Sequence, residues 1–150
     1  MKLIVLETDI DDMDMRLFGY VQEKFFEAGA HQVVMLPAYG KKGRPAVRLQ
    51  VLCKPDLKDS LKQLFFTETT TLGVRSYETE CEGLDIQFKE VNTQWGSVKV
   101  KIGFLNGKVV NAQPEYEDCA KLAKEHNVPL KMVIDEARKA YNNLTLVGSD

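Results

Sequence analysis

With 150 residues, 44% of them hydrophobic and 28% charged, and a formal net charge of -2, the chain has ordinary globular composition and no overall bias toward nucleic acid or an anionic membrane. No apolar run approaches the roughly 20 residues a bilayer span requires, and Met1-Lys2-Leu3-Ile4-Val5-Leu6 reaches Glu7 too early to read as a signal peptide. The three sparse cysteines, Cys53, Cys81 and Cys119, form no Cys-x-x-Cys pair, which predicts reduced thiols and a cytoplasmic setting; His31 and His126 lack metal-ligand spacing.

Leu3 to Leu6 is a continuous apolar run, as expected of a central strand. An acidic turn follows, and then a helix with Leu17, Val21, Phe25 and Ala28 on one face, capped by Asp12 or Asp14 and ended at Gly29. Val33 to Tyr39 reads as a second strand, Gly40 to Pro45 as a turn, and Val47, Leu49 and Val51 alternate with Arg48 and Gln50 in a third strand with one wet face. Lys54-Pro55-Asp56 opens a second helix with Leu57, Leu61, Leu64 and Phe65 inward. The segment Thr67 to Gly73 ends it, because consecutive threonines disfavour helix. Val74 to Glu80 is a fourth, edge strand.

The predicted fold class is α+β: a ferredoxin-like βαββαβ unit over residues 1–82, followed by a small subdomain of β-hairpin and two helices over 83–150. In the second part, Ile86 to Val91 and Val98 to Phe104 are strands, and Asn106-Gly107 turns the chain into a third, Lys108 to Ala112. Pro114-Glu115 starts a helix through His126 and Pro129 starts another, with Leu130, Val133, Ile134 and Ala137 inward. Asn142 to Asp150 reads as a frayed tail.

A ferredoxin-like unit orders its strands 4-1-3-2, with strands 1 and 2 parallel. Three segments then share one end of the sheet: Asp9 to Asp12, Lys41 to Arg44, and Thr67 to Arg75. Strands 1 and 2 lie two spacings apart, about 10 Å, which long Lys and Arg side chains largely cover. Asp9, Asp11 and Asp12 offer hard oxygen ligands of the kind Mg²⁺ or Mn²⁺ takes. Lys41, Lys42, Arg44 and Arg75 offer positive charge for phosphate oxygens, and Thr69, Thr70 and Thr71 offer hydroxyls and N–H donors. Each group also has an ordinary reading: carboxylates suit a helix start, and Lys41-Lys42 suits a solvated turn. The spacing matches no Walker loop and no Gly-rich dinucleotide fingerprint. Glu115-Tyr116-Glu117-Asp118 matches the dipole at a helix N-terminus, with Glu68, Glu115 and Glu117 as secondary candidates for metal or ligand, and Trp95-Gly96 as a turn aromatic that could stack a ring or an oligomer partner.

Several strings together carry a resemblance. Glu7-Thr8-Asp9-Ile10-Asp11-Asp12-Met13 resembles the Glu-Thr-Asn-Ile-Asp-Asp-Met signature of the LarC family. Lys41-Lys42-Gly43-Arg44-Pro45-Ala46, Leu52-Cys53-Lys54-Pro55, Thr67 to Arg75, and Gly107 to Cys119 resemble that family in the same order, nearly throughout the chain. The likeness is to the C-terminal part of LarC proteins. It implies insertion of Ni²⁺ into pyridinium-3,5-bisthiocarboxylate mononucleotide to make the nickel-pincer cofactor of lactate racemase. It also implies use of CTP with Mg²⁺ or Mn²⁺, release of pyrophosphate and CMP, a homo-oligomer (trimer or hexamer), and an N-terminal LarC half as partner. By resemblance the divalent ion falls near Asp9, Asp11 and Asp12, and the triphosphate near Lys41, Lys42, Arg44 and Arg75, with Thr69 to Thr71 as further phosphate contacts. Asp9 departs from the family string, which has Asn there, and no cluster of soft or imidazole ligands suited to nickel is present. No Ser-His or Cys-His pair is visible, so attack by the substrate on the α-phosphate is the simpler route. A non-catalytic nucleotide-binding or oligomerisation module stays open beside the CTP-dependent enzyme.

Overall fold

The computed structural model describes residues 1–147, and the chain divides into two compact units, Met1–Glu82 and a second beginning at Gly83. In the first unit the order is β1 (Lys2–Ile10), α1 (Leu17–Glu27), β2 (Gln32–Tyr39), β3 (Pro45–Cys53), α2 (Lys58–Glu68) and β4 (Arg75–Glu80). The sheet runs β2-β3-β1-β4 with every neighbouring pair antiparallel, which is the ferredoxin-like arrangement. One face of it is apolar. Ile4, Leu6 and Ile10 of β1 and Leu49, Val51 and Cys53 of β3 pack with Phe18, Val21 and Phe25 of α1 and Leu61 and Phe65 of α2. The Phe25 and Phe65 rings meet at 4.8 Å between centroids, a tilted aromatic pair at the centre of this core. Burial pushes the Cys53 thiol above its ordinary pKa, so it acts as a small apolar group.

The second unit has a separate core. β5 (Asp85–Thr93), β6 (Gly96–Leu105) and β7 (Lys108–Pro114) form an antiparallel sheet, and α3 (Tyr116–His126) and α4 (Leu130–Val147) follow. Val91, Val98, Val100 and Ile102 pack with Cys119, Leu122, Val133, Ala137 and Tyr141. Asn106 (φ 51°) and Gly107 (φ 78°) turn β6 into β7, the two positive φ values that a tight hairpin requires. Gly96 also has a positive φ of 141°, and a Cβ there would sit 2.9 Å from Leu122 Cδ2.

Several expectations need correction. β1 does not stop at Leu6 but runs to Ile10, so Glu7, Thr8 and Asp9 lie in the strand and the turn proper begins at Asp11. The reason is pairing on both sides: Glu7 faces Gln50 and Arg75, and Asp9 faces Arg48. α1 begins at Leu17, with Arg16 at its N-cap and no side-chain cap; Asp14 instead takes the Arg16 backbone N–H and guanidinium. The buried face of α1 is Phe18, Val21 and Phe25, and Leu17 is exposed. Pro55–Leu57 is a 3₁₀ turn before α2, which continues through Thr67 and Glu68. Residues 142–147 belong to α4 rather than to a tail; residues 148–150 of the expected tail lie outside the described residues. Trp95 is half-buried and packs against the second core.

Truncating Phe65 to Ala should destabilise the first unit by about 3–5 kcal/mol, the usual cost of removing a fully buried aromatic. Leu72→Ala, at a position 99% exposed, should change stability by less than about 0.5 kcal/mol. Urea unfolding of the two variants checks the contrast.

Candidate functional site

The face of the first sheet opposite its apolar core carries charge because β1 alternates. Register sets Glu7 directly across from Gln50 and Arg75, and Asp9 across from Arg48. Gln50 Nε2 donates to Glu7 Oε2 at 2.8 Å, and Arg75 Nε donates to Glu7 Oε1 at 2.8 Å. Arg48 grips Asp9 with Nε and Nη2 at 2.7 and 3.1 Å, and Arg75 Nη2 reaches Asp9 Oδ2 at 3.0 Å. Glu7 is buried, so this pairing satisfies a carboxylate that would otherwise be costly to hold there. The Gln50 hydrogen bond, then the Arg75 guanidinium, hold the Glu7 carboxyl below its ordinary pKa, while burial opposes them. For Asp9 the Arg48 guanidinium is the largest cause of the same downward shift, with Arg75 adding to it against burial.

The end of the sheet is built from loops. Asp11 and Asp12 follow β1 directly and are exposed. The β2–β3 connection is a short 3₁₀ turn at Lys41–Gly43, with Lys42 (φ 59°) and Gly43 (φ 67°) in left-handed conformation. Gly40 N–H donates to the Arg44 carbonyl at 2.9 Å and closes the turn, leaving Lys41, Lys42 and Arg44 exposed. Arg44 Nη1 lies 3.6 Å from Asp11 Oδ2. From the third segment, Thr70 Oγ1 donates to Asp12 Oδ1 at 2.6 Å, and Thr71 Oγ1 lies 2.6 Å from Thr8 Oγ1. Thr69 Oγ1 donates to the Phe65 carbonyl and accepts the Thr71 N–H, closing off the end of α2. The acidic segment therefore contacts both the basic turn and the threonine segment.

Not every predicted site residue is equally free. Asp9 is committed to two guanidiniums, and Arg75 to two carboxylates. Among the described residues no group of three or more His, Cys, Asp or Glu side chains is arranged to hold a metal ion. Thr69 is spent on the α2 terminus. Glu68 is the last residue of α2. Glu115 and Glu117 belong to the second unit: Glu115 lies 3.8 Å from Lys101, Glu117 is exposed in the first turn of α3, and the neighbouring Asp118 accepts the Lys99 backbone N–H at 2.9 Å. Sequence reasoning passed over Glu7, Arg48 and Gln50 as parts of a charged ladder. The signal was available in the alternation of Arg48 and Gln50 along β3, opposite Glu7 and Asp9 on β1.

This is an α+β protein whose ferredoxin-like unit gathers carboxylates, cations and hydroxyls at one end of its sheet. The chain belongs to the nickel insertion protein family, whose model matches residues 1–134. It is 45% identical over 136 residues to a putative nickel insertion protein of Dictyoglomus thermophilum, a match covering 91% of this chain and 35% of that relative. It is 42% identical over 130 residues to the pyridinium-3,5-bisthiocarboxylic acid mononucleotide nickel insertion protein of Thermotoga petrophila, covering 87% of this chain and 33% of that one. The chain thus spans about a third of the length of these relatives. Among solved structures it is similar to LarC2, the C-terminal domain of a cyclometallase involved in the synthesis of the NPN cofactor of lactate racemase, in its apo form. That match has a TM-score of 0.91 at 34% identity and covers 95% of this chain and 98% of LarC2. No helix among the described residues is long and apolar enough to cross a membrane.

The ladder has a pH signature. Glu7 and Asp9 both ionise more readily folded than unfolded, so their stabilisation is present above the ordinary carboxylate range and is lost as pH falls through their lowered folded values. Arg75→Met should cost about 1–2 kcal/mol at neutral pH, a modest figure because Arg75 is half exposed. The gap between variant and native protein should close at acid pH. Urea unfolding of both across the carboxylate titration range measures it, and a pH-independent gap would indicate lost packing instead.

Proposed function

We propose that the first unit, residues 1–82, is the nucleotide and metal-phosphate module of a nickel insertase, and that CTP with Mg²⁺ or Mn²⁺ binds at the sheet end where Asp11, Asp12, Lys41, Lys42, Arg44 and Thr70 meet. The observation that carries this is the joining of three loops of opposite chemistry, through Asp11 with Arg44 and Asp12 with Thr70. A divalent ion held by one or two carboxylates and otherwise by phosphate oxygens and water suits such a site better than an all-protein cage would. Asp11 and Asp12 are the carboxylates for that ion. Asp9 orients Arg48 and Arg75, and Arg75 adds positive charge beside the phosphates.

The chemistry follows from charge. Asp11 and Asp12 would hold the divalent ion, which with the Arg44 guanidinium would supply the charge neutralisation that attack on the α-phosphorus by an oxygen or sulfur of the substrate, with pyrophosphate as leaving group, requires. The substrate by family is pyridinium-3,5-bisthiocarboxylate mononucleotide, Ni²⁺ is the metal inserted, and CMP is released afterwards. The whole reaction belongs to the longer protein: an N-terminal half supplies nickel handling, the assembly is a homo-oligomer, and the setting is cytoplasmic. Support for this reading comes from the family membership, the likeness to LarC2 and the donor set.

Asp11→Ala with Asp12→Ala should abolish Mn²⁺-dependent CTP binding, read by calorimetry, without altering the melting temperature of the fold. Arg44→Ala should weaken CTP binding by about tenfold or more, and more than Lys42→Ala does, because guanidinium can take two phosphate oxygens. Unchanged binding in the double variant would move the site elsewhere. Pyrophosphate release from CTP, with the pincer substrate present, separates a catalytic module from a binding one.

A further inference from the structure

The two neighbours of β1 do not cover it to the same length. β3 pairs with it as far as Ile10, but β4 pairs only as far as Glu7. Beyond Glu7 the threonine segment that leads into β4 makes the contacts instead, Thr71 with Thr8 and Thr70 with Asp12. Glu7 and Thr8 are the two buried polar residues among the described residues. The charged ladder accounts for Glu7. Thr8 shares the inward face of β1 with Ile4, Leu6 and Ile10, where a valine of nearly the same shape would serve the core. A hydroxyl taken out of water there needs a partner, and Thr71 supplies it.

The direction of that hydrogen bond follows from counting protons. Each hydroxyl has one. Thr71 Oγ1 donates its own to the Gly73 carbonyl at 2.9 Å, so in the 2.6 Å contact Thr8 donates and Thr71 accepts. A relay thus runs from a buried strand residue, through Thr71, to the backbone of the loop. On the other side, Thr69 Oγ1 donates to the Phe65 carbonyl and accepts the Thr71 N–H at 3.2 Å. Thr70 stands exposed between these two anchors, and its hydroxyl donates to Asp12. Leu72 is fully exposed and adds no packing, so hydroxyls hold this stretch in place.

We infer that Thr8 is a positioning residue for the sheet-end site: its hydroxyl, acting through Thr71, fixes the threonine segment so that Thr70 is held against Asp12. This rests on the phosphate reading above. Thr8 itself touches neither metal nor phosphate, because its side chain lies on the core side of β1. Its contribution is to order the loop in advance, which spares the ligand the entropy of ordering it.

Thr8→Val keeps the shape and removes the donor, whereas Thr8→Ser keeps the donor. Thr71 retains its bond to Gly73 in both, so both should melt within about 2–4 °C of native protein, the scale of one hydrogen bond. In calorimetry on the 150-residue chain, Thr8→Val should weaken Mn²⁺·CTP by about fivefold or more, and Thr8→Ser should restore it to within about twofold. Amide hydrogen exchange over residues 69–73 should quicken in Thr8→Val and return to the native rate in Thr8→Ser. Thr71→Ala, at a half-buried loop position, should show the same loss and stands in if Thr8→Val fails to fold. Because Thr8 acts through Thr71, adding Thr8→Val to Thr71→Ala should weaken binding no further. Binding unmoved in both Thr8→Val and Thr71→Ala overturns the positioning role, while its loss in the Asp11, Asp12 double variant keeps the phosphate site. A loss that Thr8→Ser does not restore, or that adds in full to that of Thr71→Ala, overturns it as well. Native protein that binds no Mn²⁺·CTP overturns both readings.

Discussion

Strand β1 sits between β3 and β4, and the register on its two sides decides where every functional group goes. Because side chains alternate, Ile4, Leu6 and Ile10 enter the helix-covered core while Glu7 and Asp9 enter the opposite face. Leu3 and Val5 on that opposite face are apolar too, so it is the two carboxylates that resist a slip by one residue, which would turn them toward Phe25, Leu61 and Phe65. The ladder of Glu7 with Gln50 and Arg75, and of Asp9 with Arg48, then reinforces it from the polar side. Charge and core thus specify the same alignment, the kind of agreement between levels that favours a single fold.

The loop cluster is a consequence of that alignment. With β1 central and β2 at one edge, the chain leaving β1, the chain turning from β2 into β3, and the chain entering β4 all emerge at one end. The left-handed residues Lys42 and Gly43 make the basic turn tight, and the Gly40 to Arg44 hydrogen bond closes it. The threonine segment is held by its own hydroxyls: Thr69 back to Phe65, Thr70 to Asp12, Thr71 with Thr8. These contacts make the cluster an ordered surface before any ligand arrives.

Much of this was legible in the sequence because it depends on periodicity and connection order. Alternation in Val98, Val100 and Ile102, the Asn106-Gly107 turn and the βαββαβ order all follow short-range rules. What was not legible depends on partners far away in the chain. Nothing local tells β1 to continue through Glu7 and Asp9; Arg48 and Arg75, 39 and 66 residues beyond Asp9, do. The start of α1 was misplaced for a local reason: Asp14 binds Arg16, two residues on, instead of capping a helix.

The charges at the sheet end neutralise one another without a ligand, and this shapes how a metal-bound phosphate would enter. Asp11 already faces Arg44, and Asp12 already accepts from Thr70. Binding the proposed ligand would then be an exchange: the cation would replace the guanidinium at Asp11 and the hydroxyl at Asp12, and the phosphate would replace the carboxylate at Arg44. Both signs would move together, so neither set would be left unpaired during the swap. Asp11, Asp12 and Arg44 can take part because they are exposed and singly engaged. Glu7 is buried, and Asp9 is gripped by two arginines, so each is better suited to holding Arg75 and Arg48 in place than to taking a metal itself. The same sheet therefore separates its carboxylates into two kinds, those locked into the scaffold on the strand and those exposed and singly engaged in the loop.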